Sequence, residues 1–379
     1  MGDSMERIHI KNHEKKSTIR DIIKNIFSSK KSNYAYSVTR IRAMKAKLIK
    51  KDEFSRYLNL ETDDIIRNIE ELDYKNDIDE LSRKYKNITL IEHSLNRNMA
   101  NSFQKILSIT KGELHDLIQS YLKKYDIWNI KTILRGINNN INKNQILETL
   151  ITAGSLRYTF LSKLLTLNNE EIINWIKKTE YGKLICFENE NINLQKTENK
   201  LDKYYYDKLF EEIGNPLTSD KKYFIDFIKR TIDTININTL IRIKKEGIPK
   251  IKDNLFNEEN IFDLIIENGK EININKIKKM ISLSNDEFYN ELKHTSYWKS
   301  IQLNINNNKN IDIKNIENSL LKYNLKNTTK KSHQSIISII PILEYLIYKN
   351  NETRNLRIIL RGKSSNLNND IIKQEMVII

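Results

Sequence analysis

One cysteine, three prolines and nine glycines in 379 residues leave this chain short of the residues that staple or punctuate a fold. Cys186 stands alone, so no internal disulfide forms and a reducing compartment is expected. Sandwiches and barrels of many short strands need a turn for each strand, and so few Gly and Pro exclude them. What remains is a mainly helical chain. No run of about 18 apolar residues occurs. The nearest, IISIIPILEYLIY from Ile336 to Tyr348, is too short and contains Pro341 and Glu344. It reads as a buried helix entered through a proline, not as a membrane span. The N-terminus lacks the apolar core of a signal peptide.

Signatures of catalysis are missing too. Neither G-x-S-x-G nor G-x-G-x-x-G is present. Gly362-Lys363-Ser364 imitates the end of a P-loop, but Arg357 stands where the first glycine belongs, so a helix tail is the better reading. His9 and His13 are four apart without the glutamate of an HExxH site. The histidines at 93, 115, 294 and 333 are scattered, and Cys186 has no paired thiol or neighbouring His. No enzyme, no cofactor and no metal are expected.

What the chain has in abundance is charge and repetition. It carries 64 Lys and Arg against 49 Asp and Glu, a net +15, at a mean hydropathy of −0.59. That balance favours an anionic partner: nucleic acid, lipid head groups or an acidic protein. Its length suggests about two or three domains.

The strongest repeat is DIWNIKTILRG, Asp126 to Gly136. It returns as DTININTLIRI at Asp233 to Ile243 and as ETRNLRIILRG at Glu352 to Gly362. Asn129, Asn236 and Asn355 correspond, as do Arg135, Arg242 and Arg361. A looser copy, YSVTRIRAMKA from Tyr36 to Ala46, has Thr39 for the Asn and Lys45 for the Arg. Its helix, starting near Tyr34, carries Arg40, Arg42, Lys45 and Lys47, either a solvated basic face or one that meets a partner.

A second element aligns without gaps: Leu58 to Ile78, Leu165 to Ile185 and Ile281 to Ile301. Each copy places an acid pair (Asp63-Asp64, Glu170-Glu171, Asp286-Glu287) before an apolar helix face and then a tyrosine (Tyr74, Tyr181, Tyr297). Acids there meet unpaired N–H groups and the positive end of the dipole, so they start helices; Ser284 with Glu287 has capping-box spacing. Helical period also covers Leu90 to Leu107, Glu113 to Ile137, Tyr204 to Glu212 and Lys221 to Lys245, with Gly136 and Gly247 as expected caps. Asn-rich stretches at 138–144, 189–200 and 304–310 read as loops, and 324–333 as a mobile segment. Before the repeats, Ile19, Ile22, Ile23, Ile26 and Phe27 have the spacing of an amphipathic helix in a basic N-terminal extension.

The repeated acid and Arg lie nine residues apart, on opposite sides of a helix and about 13 Å apart along it, so they cannot pair with each other. The acid and Asn share a face. The expectation is that these groups bond across neighbouring domains or fix interhelix turns; the rival is that the arginines line an anion-binding cavity. Repeats of this length are too long for HEAT or armadillo units. We therefore expect an all-α protein of three related helical domains in a pseudo-threefold arrangement: an extension over 1–32, repeats over 33–120, 121–230 and 231–348, and a closing helix over 349–379.

YAYSVTRIRAMKAKLI (34–49), HSLNRNMANSFQKIL (93–107), DIWNIKTILRG, NTLIRIKKEGIP (238–249) and ILEYLIYKNNETRNLRIILRGK (342–363) together resemble the C subunit of the archaeal and bacterial A/V-type ATP synthases, the counterpart of the d subunit in eukaryotic V-ATPases. The resemblance covers roughly 33–379; residues 1–32 and the Asn-rich insertion near 304–331 depart from it. It implies a funnel of three helical domains, bound to central-shaft subunits (D and F type) and to the membrane proteolipid ring, one copy per complex, peripheral on the cytoplasmic face. Such a protein is a non-catalytic rotor adaptor that passes torque. Carried over, the family's basic first helix falls on Arg40, Arg42, Lys45 and Lys47, and its repeated arginine on Arg135, Arg242 and Arg361. The alternative reading is a basic helical nucleic-acid-binding or scaffold protein.

Overall fold

A computed structural model describes residues 34–188, 191–246, 261–306 and 312–379. Those residues form an all-α fold. Among them the only strands are a two-residue antiparallel hairpin, β1 (Phe187–Glu188) and β2 (Asn191–Ile192). The basic helix α1 spans 34–46. There follow α2 (Lys51–Tyr57), α3 (Thr62–Glu70), α4 (Lys75–Leu81) and the long α5 (Asn87–Ile109). Next come α6 (Glu113–Leu122), α7 (Lys124–Asn138), α8 (Lys143–Thr149), α9 (Tyr158–Leu164), α10 (Asn169–Lys178) and α11 (Leu194–Ile213). Then α12 (Ser219–Glu246), α13 (Ile274–Ser282), α14 (Asn285–Lys293), α15 (Trp298–Asn306) and α16 (Ile313–Gln334) lead to α17 (Ile340–Ser364) and α18 (Asn369–Glu375).

The acid pairs do start helices. Asp63 and Asp64 lie in the first turn of α3, while Asn168 with Glu171 and Ser284 with Glu287 close full capping boxes on α10 and α14. Pro341 sits in the first turn of α17, where its missing N–H costs no bond, and residues 340–346 are buried. No helix among the described residues is long and apolar enough to cross a membrane.

Four expectations change. The segment predicted as one helix from Glu113 to Ile137 is two, with a turn at Lys123, whereas its counterpart α12 runs unbroken for 28 residues. Gly136 does not cap α7. The helix continues to Asn138, the left-handed residue is Asn140 (φ 54°), and Gly136 is buried where a Cβ would lie 2.3 Å from Ile146 Cδ1. Close packing, not conformation, is its role. The stretch 324–333 is part of α16, with Thr328 and Ser332 buried, and 194–200 is the start of α11. The amphipathic helix at 19–27, His9 and His13, the cap at Gly247 and the loop at 307–310 lie outside the described residues.

Apolar side chains gather in three cores. A central one joins α6, α7 and α11 to the first halves of α12 (Phe224, Ile228, Ile232) and α17 (Ile340, Leu343, Leu346). The second half of α12 (Ile237, Leu240, Ile241) enters a core with α13 to α16. The second half of α17 (Leu356, Ile359, Leu360), with Ile372 and Met376, enters a core otherwise made by residues 49–95. Two helices thus begin in the hub and end elsewhere. Each fully buried Leu or Ile contributes about 1.5–3 kcal/mol relative to exposure, so these helices tie the cores firmly to one another.

Candidate interface surface and the recurring clamps

The repeated acid is buried in every strong copy. Asp126 accepts from the N–H groups of Ser155 and Leu156, both at 2.9 Å, and from the Ser155 hydroxyl. Asp233 accepts from Glu271 N–H (2.9 Å), Ile272 N–H (3.0 Å) and the Tyr297 hydroxyl (2.8 Å). Glu352 accepts from Ile49 N–H (2.6 Å), the Tyr74 hydroxyl and the Lys349 ammonium (2.8 Å). Two tyrosines of the second repeat, Tyr74 and Tyr297, therefore bond to acids of the first. Burial, and then the Asp126 charge, likewise push the Tyr181 hydroxyl above its ordinary value. Burial also raises the carboxyls of Asp126 and Asp233, against the hydrogen bonds that favour their charge.

One turn on, each asparagine grips a single peptide with both ends of its amide. Asn129 donates to Ile151 O (2.9 Å) and accepts from Ile151 N–H (2.8 Å). Asn236 does the same to Ile266 at 2.8 and 3.1 Å, and Asn355 to Val377 at 2.9 and 3.1 Å. All three are fully buried. At neutral pH a carboxamide suits this role: it offers a donor and an acceptor side by side, as a backbone strand edge would.

The repeated arginines emerge at the surface, each beside a glutamate of a long helix: Arg135 with Glu198, Arg242 with Glu317 and Arg361 with Glu92. The bond to the glutamate holds the guanidinium of Arg135 and that of Arg361 above the ordinary value. These side chains are about half exposed, which keeps each pair at the weak end of ion-pair energies. The glutamates carry a periodic signal of their own. They are spaced 106 and 119 residues apart, close to the 107 and 119 of the asparagines.

The copy at 352–377 repeats the roles of 126–151 at one constant offset, as 377 is to 151. Gly362 packs on Ile372 as Gly136 does on Ile146, Asn366 is left-handed as Asn140 is, and Asn368 caps α18 as Asn142 caps α8. Its acid and Arg, however, bond to residues near the beginning, Ile49, Tyr74 and Glu92. The core made by α2 to α5 is completed by residues of α17 and α18 and by Met376.

The loose copy in α1 has none of these bonds. Thr39 is exposed, and Lys45 pairs with Glu344 of α17 and lies over the Tyr348 ring. Ser37, Val38 and Ile41 face inward, Ser37 donating to Ile109 O. Arg40 and Arg42 point outward with no hydrogen bond or ion pair among the described residues, and exposed Lys47 pairs with Asp73. Among the described residues, Arg40 and Arg42 are the cations of this face without such a partner. Elsewhere, Asp226 of α12 gathers Arg230, Lys270 and Lys331; burial opposes its charge, but the three cations hold the carboxyl well below the usual range. No group of three His, Cys, Asp or Glu among the described residues is placed to hold a metal.

The sequence of the chain has relatives among known proteins. The model for the ATP synthase (C/AC39) subunit matches residues 37–375, from α1 to α18. The chain belongs to the ATP synthase (C/AC39) subunit family. It is 46% identical over 349 residues to a protein from Methanosarcina acetivorans named as the C subunit of an A-type ATP synthase, covering 92% of this chain and 94% of that one. Its similarity to the protein of the same name from Archaeoglobus fulgidus is 31% over 358 residues, 94% and 100% of the two chains. With that of Haloferax volcanii it is 27% over 354 residues, 92% and 98%.

Proposed function

We propose that this chain is the non-catalytic adaptor of an A/V-type ATP synthase rotor, seated between the central shaft (D- and F-type subunits) and the membrane proteolipid ring on the cytoplasmic side, one copy per complex. Its three helical units form a funnel and pass torque between ring and shaft. The family match over 37–375 carries the reading. Internal bonding supports it. An adaptor under torque needs units that do not slide, and here the buried acid and asparagine of the copies at 126 and 233 lock a helix to its own following loop, with the arginine pairing to a long helix at the surface. The last copy does so to residues near the beginning, Ile49, Tyr74 and Glu92, which closes the body against unwinding. Arg40 and Arg42 offer the exposed cations with which α1 meets an acidic partner surface, an attraction that salt weakens.

The test is reconstitution. The chain should co-purify with shaft subunits and proteolipid ring, and Arg40→Ala with Arg42→Ala should weaken shaft binding by about 3- to 30-fold at low ionic strength, with the difference shrinking in about 0.5 M salt. Co-purification with nucleic acid, or with neither shaft nor ring, would overturn the proposal.

A further inference from the structure

Between α5, α7, α11 and α17 lies a cavity of about 320 Å³ whose walls are rich in cations. Lys124, Trp128 and Lys131 line it from one face of α7, Arg354 and Arg357 from one face of α17, and Asp202 from α11. Asp202 is the one carboxylate of that lining among the described residues, and Lys131 takes both its oxygens, at 2.7 and 2.9 Å. The other three cations have neutral partners. Lys124 donates to the Tyr121 hydroxyl (2.7 Å) and sits over that ring; Arg357 donates to Asn96 Oδ1 (2.6 Å). Arg354 donates to Asn318 Oδ1 (2.7 Å) and Glu375 O (3.2 Å), and its buried Nη1 has no partner among the described residues. Burial pulls both guanidinium groups below their ordinary value. These two half-buried guanidinium groups lie one turn apart with no carboxylate in ion-pair range among the described residues; only the more distant charges of Glu317 and Glu375 act on Arg354 and that of Glu92 on Arg357, less than the direct pairing such burial ordinarily calls for.

We propose that this cavity binds a multivalent oxyanion of the phosphate class, held by Arg354, Arg357 and Lys124. Forked N–H donors match two oxygens of such an ion, and an ammonium supplies point charge opposite them. The site is separate from the paired arginines of the repeat and from the exposed face of α1, and it does not depend on the rotor reading. Trp128, at the rim and half exposed, reports on occupancy.

The experiment titrates the purified full chain with inorganic pyrophosphate at constant ionic strength, following tryptophan fluorescence and the thermal midpoint. A saturable fluorescence change with a rising midpoint is expected. Arg357→Gln should weaken binding at least about tenfold. Lys124→Gln, which leaves the bonds to Asn96 and Asn318 in place, should weaken it several-fold and guards against a misfolded arginine variant. In a parallel arm with ADP, binding weaker than pyrophosphate's assigns the site to the free ion and tighter binding assigns it to a phosphoryl group on a larger molecule; either supports the site. No saturable response in the wild type up to about 10 mM, or unchanged affinity in folded Lys124→Gln and Arg357→Gln, overturns it.

Discussion

Replacing Asn355 by alanine tests the clamp where its consequences are easiest to separate. The side chain is fully buried and makes two bonds to one peptide, Val377 O at 2.9 Å and Val377 N–H at 3.1 Å. Truncation orphans one donor and one acceptor, each worth about 1–3 kcal/mol if it stays dry, so the ceiling is about 2–6 kcal/mol. Asn351 still donates to Val377 O at 2.8 Å, which leaves the N–H as the main loss. The tail also has an escape: residues near 377 can peel away and rehydrate, sacrificing the burial of Met376 and Val377 instead. We expect Asn355→Ala to cost about 2–3 kcal/mol, and Asn129→Ala more, about 3–5, because Ile151 is held on both sides by α8 and α9.

Thermal unfolding gives the ranking, and hydrogen exchange of the 370–379 peptide gives the mechanism. Exchange there should rise in Asn355→Ala and stay unchanged in Asn129→Ala. Asn355→Asp sharpens the test. A carboxylate cannot donate to Val377 O and is repelled by it, so the new acid is raised in the folded state. Its folded form then binds more protons than its unfolded form, and stability should recover as pH falls from 7 toward about 4. If both alanine variants melt within about 0.5 kcal/mol of wild type, the clamps are not holding the units and the reasoning fails.

Other outcomes follow from the same geometry. Asp226→Asn should cost about 1.5–3 kcal/mol at neutral pH, since Arg230, Lys270 and Lys331 lose their common acceptor. Because the folded carboxyl lies below its unfolded value, its stabilisation is present above about pH 4 and is lost on further acidification; urea midpoints of wild type and variant should therefore converge in acid. Gly269→Ala should destabilise by about 1–3 kcal/mol, as its Cβ would lie 2.4 Å from Asp233 Oδ1 and 2.5 Å from the Ile272 carbonyl oxygen. Gly362→Ala should cost less, because its Cβ meets only the movable Ile372 side chain. Arg135→Ala should shift stability by less than about 1 kcal/mol in a melt, given the exposure of its pair with Glu198.

The all-α class was legible because helices are written locally. Few glycines and prolines, acid-capped starts and apolar faces at helical spacing each point the same way. The repeated frame was legible as identity of residues, and its acid and Asn do share a face. Its partners were not. Ile151, Ile266 and Val377 are apolar residues in short extended segments, recognised by their backbone and not by their side chains, so nothing in their letters marks them. The repeated groups were expected to bond across neighbouring domains or to fix interhelix turns; Arg135 and Arg242 pair with Glu198 and Glu317 of later long helices. A lone glutamate in a chain with 49 acids attracts no notice, and only its spacing could have singled it out. The cavity between α7 and α17 was illegible for a simpler reason: Lys124 and Arg357 come together only when the helices pack.

The phase of the repeat is where residue identity and physical unit part company. Counting from the first basic helix makes 349–379 an extra half, and its bonds to Ile49, Tyr74 and Glu92 and its apolar contacts place it with the core of residues 49–95. The copy without these bonds is α1, whose Thr39 is exposed and whose Lys45 reaches Glu344. A unit divided between the two ends of a chain is costly to assemble in kinetic terms. Residues 49 and 352 must meet across 303 positions, although the loop-closure entropy grows only as the logarithm of that length. During synthesis the apolar faces of α3 and α5, with Ile65, Ile69 and Leu95, wait without Leu356 and Ile359 until α17 emerges. The compensation is mechanical. With an open string of units, a twist applied at one end is resisted only by each interface in turn; here the last helix packs into the core of residues 49–95 and also into the hub core, so twisting one of these against the other strains α17 at both ends.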